Sequence, residues 1–318
     1  MTEYLAQILE NEKGDRFVAS FPEGVSKAVQ YRTGVKAHSV YMSQFQLIPY
    51  NRIQDYFADQ LHMPVSEESI FNFNQEAFEL LADFENGGKN ELAASDMAHA
   101  DETGINIGGK RLWLHCVSNN DRTFYGPHKK RGSIAMNDMG ILPQFKGTLC
   151  HDHWKPYYKF DCTHALCNAH HLRELTRAFE QDGQQWANKL KNLLETINRK
   201  VTDAGVVHWM PGTHQTEKGT TGSGETKSGN LLERMKNYEQ DTLRFMDNDD
   251  VPFTNNPGES DIRMTKVQQK VSGCFRSING ARILCRIRGY LSTCREQGGT
   301  SSHALSLLFN GKLPEFLM

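Results

Sequence analysis

The chain reads Ala98-His-Ala-Asp-Glu-Thr-Gly-Ile-Asn-Ile-Gly-Gly-Lys-Arg-Leu-Trp-Leu-His-Cys-Val-Ser118 where its strand signals are clearest. A short strand is predicted from Ala98 to Gly104, and it ends in acidic residues. The pair Gly108-Gly109 is typical of a tight hairpin turn, and a second strand is predicted from Arg111 to Ser118. A third strand is predicted to start at Thr123, after a polar turn. These three strands together predict an antiparallel meander.

Helices and strands alternate after this meander. A helix is predicted from Ser133 to Met139, and strands are predicted at 147–152 and 163–167. A long helix is predicted from about Ala169 to Val201. This order is typical of a ribonuclease-H-like α/β core, in which three antiparallel strands come first and are followed by helix, strand, helix, strand and helix. The sequence therefore predicts a mixed five-stranded sheet with flanking helices, and within it the ends of the first and fourth strands are neighbours.

The segment before the sheet is predicted to be helical. No element is predicted in residues 1 to about 20, whereas helices are expected at 36–46, at 49–60 and after the N-cap Ser66. Helix, short turn and helix fit either a helix-turn-helix motif or a purely structural subdomain. The second helix of the pair opens with Glu67-Glu68, which DNA phosphates would repel. The structural alternative is therefore favoured.

A second informative stretch is Val251-Pro-Phe-Thr-Asn-Asn-Pro-Gly-Glu-Ser-Asp-Ile-Arg-Met-Thr-Lys266. Asn256 suits an N-cap and Pro257 a first helical position, so Glu259 is expected in the first turn of a helix. Asn256 and Glu259 also have the spacing of a capping box, in which Glu259 only caps its own helix. Basic residues follow on roughly the same face at helical spacing, namely Arg263, Lys266 and Lys270.

The charge is unevenly distributed along the 318 residues, although the formal net charge is only −2. Between Glu259 and Arg295 there are two acidic residues and eight basic ones. A basic segment of this kind predicts a surface that faces a polyanion, and a solvated, salt-bridged helical face is the alternative. The residues predicted to bind DNA are Arg263, Lys266, Lys270, Arg276, Arg286 and Arg288.

The cysteines and the hydropathy pattern bear on location. Seven cysteines are scattered without a Cys-x-x-Cys pair, which fits reduced thiols in the cytoplasm. No apolar stretch approaches the ~18 residues of a membrane span, and no secretory signal is evident. We therefore expect a cytoplasmic protein without a membrane partner.

Three carboxylates from separate parts of the chain are candidates for a shared site. Asp101 ends the first predicted strand, Asp152 ends the fourth, and Glu259 lies in the first turn of the later helix. Phosphoryl transfer uses such clusters, because hard oxygen ligands hold Mg²⁺ or Mn²⁺ and two ions ~4 Å apart clamp the attacking and leaving oxygens. The sequence therefore predicts a metal-dependent site for phosphoryl transfer.

Several motifs resemble those of the insertion-sequence-66 (IS66) transposase family. The resemblance extends from about Phe21 to Gly311. The motifs are Asp101-Glu-Thr-Gly104, His151-Asp-His-Trp154, Cys167-Asn-Ala-His-His-Leu-Arg-Glu174, Lys266-Val-Gln-Gln-Lys-Val-Ser-Gly-Cys-Phe-Arg-Ser277 and Arg286-Ile-Arg-Gly-Tyr-Leu-Ser-Thr293.

The resemblance implies a ribonuclease-H-like core with a catalytic triad formed by Asp101, Asp152 and Glu259. It implies cleavage of transposon ends and strand transfer into target DNA, with two Mg²⁺ or Mn²⁺ ions as cofactors. Terminal repeats, target DNA, further copies of the chain in a synaptic complex and small accessory proteins are the implied partners, in the nucleoid. The expected division is a helical subdomain at 1–95, the catalytic domain at 96–300 with a helical insertion at about 172–250, and a tail at 301–318.

The sequence also departs from the family pattern. The motif that usually reads Asn-Asn-x-Ala-Glu-Arg is Asn255-Asn-Pro-Gly-Glu-Ser260, and no N-terminal coiled coil or cysteine-rich zinc-binding region is evident. These departures predict a truncated or split copy. Two alternatives to an active transposase therefore remain open, namely an inactive remnant that only binds DNA and a ribonuclease-H-like nuclease without strand transfer.

Other polar residues near these motifs have less specific patterns. Cys167 and His170 match a Cys-x-x-His element of the family, which implies a positional role near the site. A zinc site is disfavoured because the paired Cys-x-x-Cys of structural sites is missing. Glu102 is expected to face away from Asp101, because side chains alternate along a strand. The run His128-Lys-Lys-Arg131 fits either contact with the DNA backbone or a solvated loop.

Overall fold

A five-stranded mixed sheet forms the centre of the protein. The structure, a computed structural model, describes residues 4–23, 25, 29–204 and 226–317, with only the backbone of Ala204, Pro257, Glu259 and Asp261. The strand order is β5-β4-β3-β6-β7; β3, β4 and β5 are antiparallel, and β6 and β7 run parallel to β3. The strands are β1 (Ile8–Glu10), β2 (Arg16–Val18), β3 (Met97–Ile107), β4 (Lys110–Ser118), β5 (Thr123–His128), β6 (Thr148–His151) and β7 (Thr163–Leu166).

Helices surround this sheet on both faces. No described helix is both long enough and apolar enough to span a bilayer. The α-helices are α1 (Thr33–Val40), α2 (Tyr50–Leu61), α3 (Glu67–Leu80), α4 (Ala82–Ala94), α5 (Ser133–Met139), α6 (Asn168–Glu180), α7 (Gln185–Ala204), α8 (Lys227–Asn237), α9 (Glu239–Leu243), α10 (Asn256–Ser272), α11 (Ile278–Glu296) and α12 (Ser301–Phe309). A π-helix covers Tyr41–Phe45, and 3-10 helices cover Lys155–Lys159, Arg244–Met246 and Glu315–Leu317.

The predicted hairpin at the centre of the sheet is confirmed, but its first strand is longer than expected. Gly108 and Gly109 have φ angles of 55° and 75°, a conformation that favours glycine, and they join β3 to β4. Strand β3 runs on to Ile107, so Asp101 lies in its middle and not at its end. Only the beginning of β3 pairs with β6, because β6 has four residues. Asp101 therefore lies just beyond the paired segment.

The two faces of the sheet pack against different elements. One face, with Ala98 and Ala100, joins a core formed with Leu142 and Tyr157. The opposite face, with Ile105, packs against the helices α10 and α11. Helix α11 lies close to β5, since a Cβ at position 289 would be 2.9 Å from the carbonyl oxygen of Thr123, and Gly289 therefore permits this approach.

The N-terminal helices share their core with the end of the chain, which differs from the predicted division. Val40, Ile70, Ile287 and Leu305 belong to one buried apolar cluster, and this cluster joins α1, α3, α11 and α12. The segment predicted as a tail at 301–318 therefore begins with a packed helix. The boundaries predicted at residues 95 and 300 cross this core, because α11 and α12 provide apolar faces that the N-terminal helices cover.

The region between β7 and α10 is helical where it is described. The single long helix predicted from Ala169 to Val201 is instead the pair α6 and α7. The break contains Gly183 at a φ of 67°, which ends α6 and redirects the chain. Helices α8 and α9 follow, with residues 205–225 outside the described part of the chain. Apolar residues of α6, α7 and α8 form their own cluster, and the insertion at about 172–250 stays a prediction.

A small hairpin near the N-terminus was not predicted. Strands β1 and β2 pair in an antiparallel manner, and every residue in both strands is exposed. Because neither face packs on a core, the periodicity of burial that predicts a strand is missing from this segment.

Candidate active site

The two predicted catalytic aspartates have matching positions on adjacent parallel strands: Asp101 lies within β3, and Asp152 directly follows β6. His99 of β3 pairs with Cys150 of β6. Asp101 is two residues beyond His99, and Asp152 is two residues beyond Cys150. Because parallel strands keep their register, Asp101 and Asp152 occupy neighbouring positions along the two strands. An oxygen of Asp152 accepts a hydrogen bond from the backbone N–H of Trp154 at 3.0 Å, which closes a turn directly after the strand.

Helix α10 is docked on β3 beside Asp101 by the side chain of Asn255. The Oδ1 atom of Asn255 lies 2.7 Å from Nδ1 of His99, and its Nδ2 atom donates to the carbonyl of Ala100 at 3.1 Å. Asn255 is 1% exposed, so this amide joins two elements inside the protein. His99 and Asp101 point to the same face of β3. The start of α10 therefore lies on the face that carries Asp101.

The beginning of α10 differs from its predicted cap. The helix begins at Asn256, and its N-cap is Asn255, which makes no side-chain capping bond because its amide contacts the sheet. Glu259 is therefore the fourth helical residue. A capping box requires the acid at the third helical position, which is Gly258 here. The position of Glu259 therefore does not fit the capping-box role that was the alternative to a catalytic one. The side chain of Glu259 lies outside the described part of the structure, and only its backbone position is defined.

Cys167 connects three elements behind the aspartates. It is 1% exposed, and its backbone N–H donates to the carbonyl of His151 at 3.0 Å. Its Sγ atom accepts the backbone N–H of Asn255 at 3.1 Å, so the thiol contacts the residue that precedes α10. The backbone N–H of His170 donates to the carbonyl of Cys167 in the first turn of α6. Both residues thus lie at the junction of β6, β7 and α10, in the region where a positional role was predicted.

The described histidines and cysteines near this junction do not assemble a zinc site. Nε2 of His151 lies 3.1 Å from Nδ1 of His164, and these rings pack against Tyr158. Among the described side chains, no group of three or more His, Cys, Asp or Glu residues has an arrangement that could hold a metal ion. Glu259 is not among those side chains, so this finding does not concern the predicted triad.

Glu102 occupies the opposite face of β3, as the alternation of side chains predicts. Its side chain is fully buried, lies 2.5 Å from the hydroxyl of Tyr157, and accepts two bonds from Arg131 at 2.6 and 3.0 Å. Burial raises the pKa of Glu102, and the negative charge of Asp152 acts in the same direction. The pKa of Tyr157 is raised by burial and by the charges of Glu102, Asp152 and Asp101. This hydroxyl therefore keeps its proton and donates it in a hydrogen bond to Glu102.

The role of Glu102 was missed by sequence reasoning. Its partner Tyr157 lies 55 residues away along the chain, in the 3-10 helix that follows Asp152. The bond between them joins the strand that carries Asp101 to the segment that carries Asp152. The available signal was an acidic residue on the strand face that also carries Ala98 and Ala100, since such a residue needs a buried donor.

The residue after Asp152 contacts the helical insertion. His153 has a φ of 71°, so the chain turns sharply as it leaves β6. The ring of His153 packs edge-on against Tyr238, with centroids 4.3 Å apart. Burial and the positive charge of Arg234 lower the pKa of His153 to about 4, so the ring is neutral at physiological pH. The insertion thereby supports the segment at Asp152.

Four of the predicted DNA-binding residues are exposed on α10 and directly after it. Arg263, Lys266, Lys270 and Arg276 all lie on the surface. The amine of Lys266 donates to the carbonyl of Gly104 at 3.1 Å, which places it against the strand that carries Asp101. The basic face predicted for α10 is therefore exposed and adjacent to the candidate site.

The other two predicted DNA-binding residues point into the protein. The guanidinium of Arg286 lies 3.7 Å from the ring centroid of Phe78 and donates to Glu85. Arg288 is only 9% exposed and donates to the backbone carbonyls of Gln44 and Phe45. Their prediction as DNA ligands is corrected, because α11 is enclosed by the sheet and the N-terminal helices and presents these arginines to internal acceptors.

Comparison with known proteins gives one family. The family model for the IS66 transposases matches residues 28–283 of the chain, which includes the whole sheet and the start of α11. No curated protein gave a significant match. Since the matched region covers most of the 318 residues, the chain belongs to the IS66 transposase family.

Proposed function

We propose that this protein is a metal-dependent DNA transposase with a ribonuclease-H-like core, in which Asp101, Asp152 and Glu259 bind two Mg²⁺ or Mn²⁺ ions. The family assignment supports a transposase role and makes DNA the expected partner. The observation that supports the site most is the matching position of Asp101 and Asp152 on adjacent strands, with the start of α10 docked on the same strand. Glu259 lies in that first part of α10.

The donor set suits hard divalent cations. The carboxylate oxygens of Asp101, Asp152 and Glu259 are hard ligands of the kind that Mg²⁺ and Mn²⁺ prefer. When bound, such ions supply Lewis-acid activation of a nucleophile and stabilise charge on the leaving oxygen. Asn255 and Cys167 orient α10 against the sheet, and the Glu102–Tyr157 bond holds the two aspartate-bearing segments together.

The reaction has two steps at the same site. Water attacks a phosphorus at the transposon end, and the bond to the 3′-oxygen breaks to release a 3′-hydroxyl. That hydroxyl then attacks a phosphodiester of the target, so that one P–O bond forms while another breaks. The exposed lysines Lys266 and Lys270 hold the DNA backbone beside the carboxylates through ionic contacts, which salt weakens.

The replacement Asp152→Asn tests this proposal. The purified full chain is incubated with Mg²⁺ and a plasmid that carries the DNA flanking its gene, and cleavage and joining are measured on gels. We expect Asp152→Asn to lower cleavage by at least about 1000-fold, because losing several kcal/mol of charge stabilisation costs a factor of ten per ~1.4 kcal/mol. Binding of the same DNA in EDTA should stay within about twofold, since the phosphate contacts that dominate affinity are unchanged.

Asp161→Asn is the matched control, because Asp161 is an exposed aspartate nine residues further along the chain. It should cleave like the unmodified protein. Undiminished cleavage by Asp152→Asn would refute the role of this carboxylate. An unmodified chain that binds DNA but never cleaves it would support the inactive remnant, and cleavage without joining would support a nuclease.

A further inference from the structure

Two arginines and two tryptophans form an alternating ladder on the face of the sheet opposite α10. The guanidinium of Arg111 lies 4.8 Å from the ring centroid of Trp113. The guanidinium of Arg131 lies 4.8 Å from the same ring and 4.0 Å from the ring of Trp154. These four residues, the arginine–tryptophan ladder, come from β4, from the segment after β5 and from the segment after β6. Three separate parts of the chain thus meet through stacked cations and rings.

The ladder requires a glycine at position 104, where a side chain would occupy the space of Arg111. Gly104 of β3 pairs with Trp113 of β4, and a Cβ at position 104 would lie 2.8 Å from Nε of Arg111. Glycine therefore leaves the space in which the Arg111 guanidinium lies across β3. Stacking of this kind fixes the plane of a guanidinium and lowers the entropy that is lost when its N–H groups bind an anion.

The ladder ends at the candidate active site. The backbone N–H of Trp154 donates to Asp152, and Arg131 pairs with Glu102, the residue next to Asp101. The ladder therefore ends beside residues that directly neighbour Asp101 and Asp152 along the chain.

Exposed lysines surround the ladder, and the acids near it are already paired. Glu102 is bound by Arg131, and Asp138 lies 3.1 Å from the imidazole of His128. Within the described part of the chain, no ion pair involves Arg111 or the neighbouring lysines. With the ladder, these lysines define the ladder surface; they are the exposed Lys110, Lys129, Lys130 and Lys155.

The ladder surface is connected to the basic face of α10 around the tip of the central hairpin. The backbone N–H of Gly108 donates to the carbonyl of Phe275 at 2.8 Å, and that of Phe275 donates to Asn106 at 3.0 Å. A Cβ at position 108 would lie 3.6 Å from the carbonyl oxygen of Arg276, so the backbone that follows α10 reaches the hairpin tip, where Lys110 begins β4. The basic segments on the two faces of the sheet therefore approach each other at the hairpin tip.

We propose that the ladder surface is a second DNA-binding surface, which holds the phosphate backbone of the same DNA on the side of the sheet away from α10. The proposal depends on the proposed function for the identity of the polyanion. The stacked guanidinium of Arg111 presents paired donors that match phosphate oxygens, Arg131 holds the neighbouring rings in place, and the lysines add point charges along the backbone. DNA bound to both surfaces would contact the protein on both faces of the strand that carries Asp101.

Salt-dependent binding by three variants tests the proposal. The ladder variant replaces Lys129, Lys130 and Lys155 by alanine. All three side chains are exposed, and the hydrogen bonds of Lys130 to His115 and His128 use its backbone atoms, so alanine preserves them. The α7 variant replaces the exposed Lys189, Arg199 and Lys200 by alanine, and therefore removes the same charge from a distant helix. The α10 variant replaces Lys266 and Lys270.

Affinity of the full chain for a mixed-sequence duplex is measured in EDTA by fluorescence anisotropy at several KCl concentrations. We expect the ladder variant to bind at least about tenfold more weakly at low salt, with a log–log salt slope smaller by ~0.9 for each phosphate that the protein no longer neutralises. The α7 variant should keep the slope of the unmodified chain. Equal slopes for the ladder and α7 variants, with a smaller slope for the α10 variant, would overturn this inference alone. An unmodified chain with no measurable affinity for the duplex would overturn the proposed function as well.

Discussion

Helices α10 and α11 both carry basic residues that were predicted to bind DNA, but those of α10 are exposed and those of α11 point into the protein. On α10, Lys266 and Lys270 are exposed, whereas on α11 the guanidinium of Arg286 covers Phe78 and Arg288 is 9% exposed. The difference follows from the apolar residues. Those of α11 are buried all around the helix, between the sheet and the N-terminal helices, whereas α10 buries only one side. A basic residue therefore indicates a DNA contact only when its helix has a free face.

The replacement Arg286→Ala tests whether the buried arginines of α11 stabilise the fold, and it should have the largest effect. The side chains of Arg286 and Glu85 are 17% and 16% exposed, and the guanidinium also donates to the carbonyl of Phe78. Removal of the arginine leaves a mostly buried carboxylate and a carbonyl without their donor. We expect the free energy of unfolding to fall by about 3–4 kcal/mol, measured by urea denaturation at neutral pH.

A double-mutant cycle with Glu85→Ala separates the ion pair from the packing on Phe78. The double variant should be less destabilised than the sum of the single variants, because it leaves no uncompensated charge. A loss below about 0.5 kcal/mol for Arg286→Ala would mean that this arginine behaves like a surface residue, and the contrast between the two helices would fail.

A buried histidine avoids the cost of a buried positive charge by losing its proton, whereas a buried arginine stays charged and needs an acceptor. His115 is 2% exposed, and burial lowers its pKa from 6.5 to about 4. Between these values the unfolded chain binds a proton that the folded protein excludes, so stability falls as the pH drops from ~6.5 to ~4. We expect His115 to contribute up to about 3 kcal/mol to this loss, measured by urea denaturation at several pH values.

The replacement His115→Gln isolates this contribution. Glutamine keeps a donor for the carbonyl of Lys130, which lies 3.3 Å from Nε2 of His115, but it does not titrate. The variant should lose less stability than the unmodified protein between pH 6.5 and 4. Other buried histidines, such as His171 with a pKa lowered to about 3 by burial, remain in both proteins and cancel in the difference. Parallel pH profiles for the two proteins would show that His115 is protonated freely.

The sequence predicted those features that depend on local periodicity and strand order. The hairpin at Gly108-Gly109 and the helix from Ser133 to Met139 lie where they were expected. The proximity of Asp101 and Asp152 was also predicted, because it follows from the order of the strands and their parallel pairing. The metal-binding role of these residues and of Glu259 stays a prediction.

The remaining features depend on contacts between distant parts of the chain. Nothing near Glu102 in the sequence indicates Tyr157 or Arg131 as its partners, and these contacts arise only when the segments that follow β5 and β6 pack on β3. The arginines of α11 were misjudged for the same reason, since their acceptors belong to the N-terminal helices. Helix α12 was predicted as part of a tail because its packing partners in the buried cluster are far away in the sequence.

The exposed side of the comparison predicts the smallest change in stability. The double variant Lys266→Ala/Lys270→Ala removes two exposed amines, and with them the hydrogen bond from Lys266 to the carbonyl of Gly104. We expect the free energy of unfolding to change by less than about 0.5 kcal/mol. DNA affinity in EDTA should nevertheless fall, with a log–log salt slope smaller by ~1.8 if both amines contact phosphates. A destabilisation near that of Arg286→Ala would instead show that α10 depends on these lysines for its own packing. The basic face of α10 would then not be a surface that is free to bind DNA.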